Sequence, residues 1–256
     1  MQRQRFLPLL AAATAVAAGS FSVAAPAARG AMLAITEAMV QSGTGNTGTP
    51  DWFELTNNST APATLTGFTM DDNSYAFATS VALNNVTTLR AGESAVFIEL
   101  DTTTAADPAS TATSLSAFRS YWGLNAAVQV GYYSGSGVSL SANGDGIVVF
   151  NAAGAEVVPR VVFATATVGS TFFFDPNANA TAPAAVSPLG VSMSGQRGAY
   201  TSTGTYSPNG FAGANIGSPG LAAGVVPEPA TSVLLGFAGA AGVVALHRRR
   251  RMARTV

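Results

Sequence analysis

Asp51-Trp-Phe-Glu-Leu55 sets the period on which the rest of the chain is read, with Leu33-Ala-Ile-Thr-Glu37 before it and Leu65-Thr-Gly-Phe-Thr-Met70 after it. Successive side chains of a strand point to opposite faces. Phe53 and Leu55 therefore share the face turned to a core, and Trp52 and Glu54 share the other. Working outward, short apolar or alternating runs recur at 32–39, 52–56, 64–70, 95–99, 127–132, 146–150 and 156–163. Between them lie Asn57-Asn-Ser59, Asp71-Asp-Asn73 and Asn143-Gly-Asp-Gly146, which are turn chemistry. Short strands with regularly spaced turn signals predict an all-β sandwich. One short helix is expected over 110–122, where Leu115, Phe118 and Trp122 fall at i, i+3 and i+7 and would cover an open end or edge of the sheets.

Composition removes much chemistry. Of 256 residues only 10% are charged, against about 25% in an ordinary soluble domain. All 12 basic residues are arginine. The absence of cysteine excludes disulfides, thiolate catalysis and cysteine-ligated zinc, and a single histidine, His247, excludes a two-histidine metal site within one chain. Residues 31–226 carry four arginines against twelve acids, a net charge of −8. Phosphate backbones repel such a body, so no nucleic-acid partner is expected.

The basic residues are gathered at the two ends, and each end has a reading. Residues 1–27 have the parts of a secretory signal peptide: Arg3 and Arg5 lead, an apolar run follows over 7–18, and Ala25-Pro-Ala27 places cleavage near Ala27. At the other end, Pro227 and Pro229 each hold φ near −65° and push the preceding residue toward extended geometry. Val226, Pro227, Glu228 and Pro229 thus form a stiff, exposed segment bearing one acid. The 17 uncharged residues of 230–246 follow. As a helix they would reach about 25 Å, at the low end of what spans a bilayer core of about 30 Å. Arg248, Arg249, Arg250 and Arg251 then stop transfer on the cytoplasmic side.

The order of proline-stiffened motif, apolar helix and arginine cluster over 226–251 resembles the PEP-CTERM sorting signal of Gram-negative exported proteins. The resemblance implies processing by signal peptidase and by a membrane-embedded exosortase that cuts near Pro227-Glu-Pro229. It also implies transient anchoring in the inner membrane, then release to the cell surface or the extracellular space.

The three quoted stretches, with Leu89-Arg-Ala-Gly-Glu93, Leu140-Ser-Ala-Asn-Gly-Asp-Gly-Ile-Val148, Asn151-Ala-Ala-Gly154 and Asn215-Ile-Gly-Ser-Pro-Gly220, resemble the lamin-tail domain, an immunoglobulin-like β-sandwich. The likeness spans 31–220, with 221–225 as a linker to the sorting signal. It implies a binding or structural module without activity of its own.

Glu37, Asp51 and Glu54 are the candidates for paired-carboxylate chemistry. The preferred reading makes Asp51 and Glu54 strand-edge acids that cap turns or bond backbone amides. Asp71-Asp-Asn73 and Ser141-Ala-Asn-Gly-Asp-Gly146 contain calcium-type ligands. The first reads as a tight turn, and the second lacks the bidentate acid at its twelfth position, Ala152, and reads as a hairpin turn. No catalytic residue, cofactor or metal is therefore expected. The expected function is that of an exported, non-enzymatic surface or matrix protein, with exopolysaccharide or other surface proteins as partners. The alternatives are a secreted carboxylate-dependent glycan hydrolase and a structural surface-layer or fibre subunit.

Overall fold

Alternation becomes pairing in the computed structural model, which describes residues 33–43, 48–178 and 184–221. In chain order the strands are β1 (Leu33–Met39), β2 (Trp52–Asn57), β3 (Ala63–Thr64), β4 (Thr69–Asp71), β5 (Val81–Ala82), β6 (Thr88–Leu89), β7 (Ser94–Leu100) and β8 (Gln129–Ser134). They continue as β9 (Asp145–Phe150), β10 (Arg160–Phe163), β11 (Phe172–Phe173), β12 (Ala185–Val186), β13 (Gly190–Val191), β14 (Tyr200–Thr201) and β15 (Ile216–Gly217). Two helices, α1 (Thr102–Ala106) and α2 (Pro108–Trp122), lie between β7 and β8. One sheet has the order β13-β11-β1-β2-β7-β8, a second β12-β10-β9-β4-β5, and two short ribbons pair β14 with β15 and β3 with β6.

The inner faces of the two large sheets form one apolar cluster. Ile35, Phe53, Leu55 and Phe97 come from one sheet, and Met70, Ile147, Val149 and Val161 from the other. Phe53 and Leu55 point into this core, as alternation requires. The opposite face of the six-stranded sheet has a core of its own. Trp52, Val96 and Ile98 pack there against Phe118, Tyr121 and Trp122 of α2. Trp52 meets Phe118 and Trp122 edge-on at 6.0 and 5.8 Å between ring centres. The helix thus covers a sheet face, not the open end or edge expected of it. The reason is topological. β7 and β8 are parallel neighbours, and parallel neighbours need a long crossover, which residues 101–128 supply across the face. Asp107 starts α2 by accepting the amides of Ala109 and Ser110, with Pro108 at the first position.

The other expected strands fall close to their observed places, with two differences. The run 64–70 is broken into β3 and β4 by a turn at Gly67, whose φ of +76° only glycine adopts without strain. The run 156–163 begins with an isolated bridge at Glu156 and pairs as a strand only from Arg160. Asn143-Gly144 turns the chain as expected, but it carries the chain from one sheet to the other and closes no two-residue hairpin: β8 belongs to the first sheet and β9 to the second. Among the described residues no helix is long and apolar enough to cross a membrane. The expected signal peptide, the linker beyond residue 221, Val226, Pro227, Glu228, Pro229, the apolar stretch 230–246 and Arg248 to Arg251 lie outside the described residues.

Candidate functional site

Glu37 and Glu54 are brought together by an irregularity in the β1–β2 ladder. Ile35 pairs with Leu55, but the next pair is Glu37 with Glu54, so Thr36 is an extra residue and the register shifts there. A bulge of this kind re-aims the side chains around it. Thr36, Glu37, Glu54 and Thr56 consequently gather on the outer face of the sheet, where α2 and the residues before Leu221 cover them. Glu37 is 1% exposed and Glu54 0%.

Each carboxylate is filled with donors. Glu37 Oε1 accepts the Ser218 amide at 2.8 Å and the hydroxyl of Thr171, and Glu37 Oε2 accepts Ser218 Oγ at 2.9 Å. Glu54 Oε1 accepts Thr36 Oγ1 at 2.6 Å, and Oε2 accepts the Gly220 amide at 2.6 Å. From Thr36 the polar contacts run on to Thr56 and then Ser94, at 2.8 and 2.7 Å. The pair is therefore a seat for the segment Asn215-Ile-Gly-Ser-Pro-Gly220. Gly217 is needed there for room: a Cβ on it would lie 2.9 Å from Thr171 Cγ2 and 3.0 Å from Glu37 Oε1.

Burial costs the charged form of an acid most. It pushes Glu37 up to about 7, against the lowering effect of its Thr171 and Ser218 hydrogen bonds. It pushes Glu54 up to about 8, with the neighbouring Glu37 adding to the rise. The pair therefore keeps a proton near neutral pH. Tyr200 of β14, beside both acids, is likewise raised to about 12, by burial first and then by the two carboxyls.

These positions correct the reading of Glu54 as a strand-edge acid. It sits in the middle of β2, a strand paired on both sides, and the dry face makes it part of a buried pair. Bonding to a backbone amide was the correct half of that expectation. Glu37 and Glu54 are buried under the groups that bind them, the Ser218 and Gly220 amides among these.

Asp51 is not part of this pair. It lies at the other end of β2, in a hollow of about 480 Å³ whose walls include Thr49, Glu99, Asp101, Leu140 and Tyr206. Burial, and then the nearby Glu99 carboxylate, raise Asp51 to about 8. Burial also raises Glu99, whose carboxylate takes a contact from Tyr133 Oη at 3.4 Å. Glu99 and Asp101 were not singled out in the sequence; their only signal there is two acids two residues apart at the end of an apolar run.

The turn acids serve turns. Asp71 accepts the Ala76 amide at 2.7 Å and Asp72 the Ser74 amide at 3.1 Å. Asp145 ties two loops to the start of β9 by accepting the amides of Asn73 and Ser141 together with that of its neighbour Gly146. Among the described residues no group of three His, Cys, Asp or Glu side chains is placed to hold a metal ion.

With this geometry in place, the family comparison is decisive. The family model described as Lamin Tail Domain matches residues 26–164, more than half of the chain. The chain belongs to the lamin tail domain family. Its match covers the strands from β1 to β10, including Glu37, Asp51 and Glu54. The residues of this lamin tail domain protein past the match, which form β11 to β15, still reach its acids through Thr171, Ser218 and Gly220. A second family model, the PEP-CTERM protein-sorting motif, matches residues 225–251. The motif marks an exported protein that passes through the membrane and is processed by exosortase. Lamin tail domains and PEP-CTERM motifs are both non-catalytic types. A comparison with curated proteins gives no match.

Proposed function

We propose that this lamin tail domain protein is a surface or extracellular-matrix protein whose sandwich binds or scaffolds extracellular material, exopolysaccharide first among it. The observation that carries the reading is the joining, on one chain, of a non-catalytic sandwich to a sorting motif. The fate of the acids supports it. The carboxyl pair that a glycan hydrolase would use is sealed under Ser218 and Gly220 and serves as a structural seat. In this proposal residues 1–27 are removed as the signal peptide, 31–220 form the sandwich unit, 221–225 link it to the sorting signal, and exosortase cuts near Pro227-Glu228-Pro229. The apolar stretch 230–246 is the transient inner-membrane anchor, and Arg248 to Arg251 stop it.

The test has two arms. Intact mass of the extracellular protein should fit a chain running from about Ala28 to about Pro229. Recovery of full-length chain carrying His247 would count against both cleavages. The mature protein should also co-sediment with polysaccharide from the producing cells and release no reducing ends from it. Release of reducing ends that Glu54→Gln abolishes would give the site to a hydrolase.

A further inference from the structure

Both described ends of the body leave it at one pole. Leu33, at the start of β1, pairs with Asn57 at the end of β2. Asn57 exchanges backbone hydrogen bonds with Gly92 and Glu93 just before β7. At the other end of the chain, Gly220 lies against Val128, in a shallow depression shared with Arg90 and Ser94. The start of β1 and the start of β8 are three strand spacings apart, or about 14 Å. The opposite pole, where β1 ends and β2 begins, carries the hollow lined by Asp51, Glu99 and Asp101.

Charge follows the same axis. Asp145 holds the Ser141 amide beside that hollow and takes the Asn73 amide, which brings Asp71 and Asp72 to the same end. Six of the twelve acids of residues 31–226 thus gather at the pole away from the chain ends. Three of the four arginines of that stretch are elsewhere: Arg90 sits at the pole of the chain ends, Arg119 is on α2, and Arg197 lies over the Phe173 ring. Arg160, paired with Glu156, lies over the Tyr75 ring beside Asp72 and offsets part of the charge of the acidic pole.

We propose that the uncleaved precursor stands on the outer surface of the inner membrane with the Leu33–Leu221 pole toward the lipid and the Asp51–Glu99–Asp101 hollow outward. This rests on the sorting reading above. Eight residues separate Leu221 from the start of the apolar stretch at 230, so the tether spans at most about 30 Å whatever its conformation. The body is therefore held close to the headgroups by one pole. With Asp51 holding its proton and Asp101 ionised, the acidic pole keeps a net negative charge, which anionic lipid repels over roughly a Debye length, about 8 Å at physiological salt. Tether and repulsion act in the same sense, and the end presented to extracellular partners is the acidic hollow.

The chain has no cysteine, so single cysteines can carry a fluorescent donor without background. Ala91→Cys and Ala61→Cys mark the lipid-facing pole and Thr103→Cys the outward one; all three positions are exposed. The uncleaved chain would be reconstituted into vesicles of phosphatidylethanolamine and phosphatidylglycerol carrying a headgroup acceptor dye. Energy transfer should be at least twofold stronger from positions 91 and 61 than from 103. Equal or reversed transfer in vesicles that carry the protein on flotation would overturn the orientation while leaving the anchor intact. Failure to float with the vesicles would overturn the anchoring reading and the orientation with it.

Discussion

Phe53 is fully buried, stacked on Phe97 at 5.5 Å and tilted against Tyr133 at 5.9 Å. Phe53→Ala should cost about 3–5 kcal/mol, a large share of the roughly 5–15 kcal/mol that holds a domain folded; chemical denaturation measures it. Glu54 behaves differently. Its carboxyl, like that of Glu37, binds a proton more readily in the folded chain than in the unfolded one, where the ordinary value is 4.5. The stability it contributes is therefore complete below about pH 4.5 and is lost as the pH rises through about 7 to 8. Glu54→Gln imitates the protonated acid, since its amide oxygen can still accept Gly220 and its amide nitrogen can donate to Thr36. The variant should melt close to wild type at pH 5 and several °C higher at pH 8.5, at about 2–4 °C per kcal/mol for a body of this size. A lower melting point at pH 8.5 would show that the charged form is the one the fold needs. The side to which Phe53 points was legible in the alternation of 51–55. The burial of Glu54 was not, because alternation says which residues share a face and nothing about what lies over it.

The cover over that face comes from two elements, and they differed in legibility. α2 announced itself by Leu115, Phe118 and Trp122, but its position depends on the parallel pairing of β7 with β8, a relation between strands that no local period encodes. The closing segment 199–221 was legible only in outline, through the resemblance of Asn215-Ile-Gly-Ser-Pro-Gly220 to a family closure. Among its glycines, serines and threonines it carries no charge, and no period places its two short strands. Its anchor is the bulge at Thr36, also invisible from alternation, since one extra residue looks the same as an ordinary strand. The anchor can be tested. Glu37→Ala removes the acceptor of the Ser218 amide and hydroxyl and of Thr171. Hydrogen bonds to charged groups are worth about 1.5–3 kcal/mol, so the Ser218 amide should exchange with solvent about 10–100-fold faster. The amides of β9 and β10, in the other sheet, should keep their protection. Uniform loss of protection in both sheets would mean that the pair holds the entire fold and not the closing segment alone.

At the scale of the molecule three carboxyls besides Glu99 are raised in the same direction: Glu37 to about 7, Glu54 to about 8 and Asp51 to about 8. The protein should therefore be most stable in mild acid, with its melting temperature falling between about pH 5 and pH 9; a flat or rising profile would mean that the three acids are ionised in the fold. The sorting signal is separate from this balance. Glu228→Ala should leave the melting curve unchanged and hold the protein in the inner membrane, as fractionation of cells would show; normal release would remove Glu228 from the recognised motif. The strand order also bears on timing. Glu37 is fixed by Thr171 and Ser218, which lie 134 and 181 positions later. A chain leaving the cell amino end first must keep its opening strand waiting, half-paired, until nearly the whole body has crossed. Ser218 lies only nine positions ahead of Pro227, so on the proposed sorting route the last step of folding and the halt of translocation fall almost together.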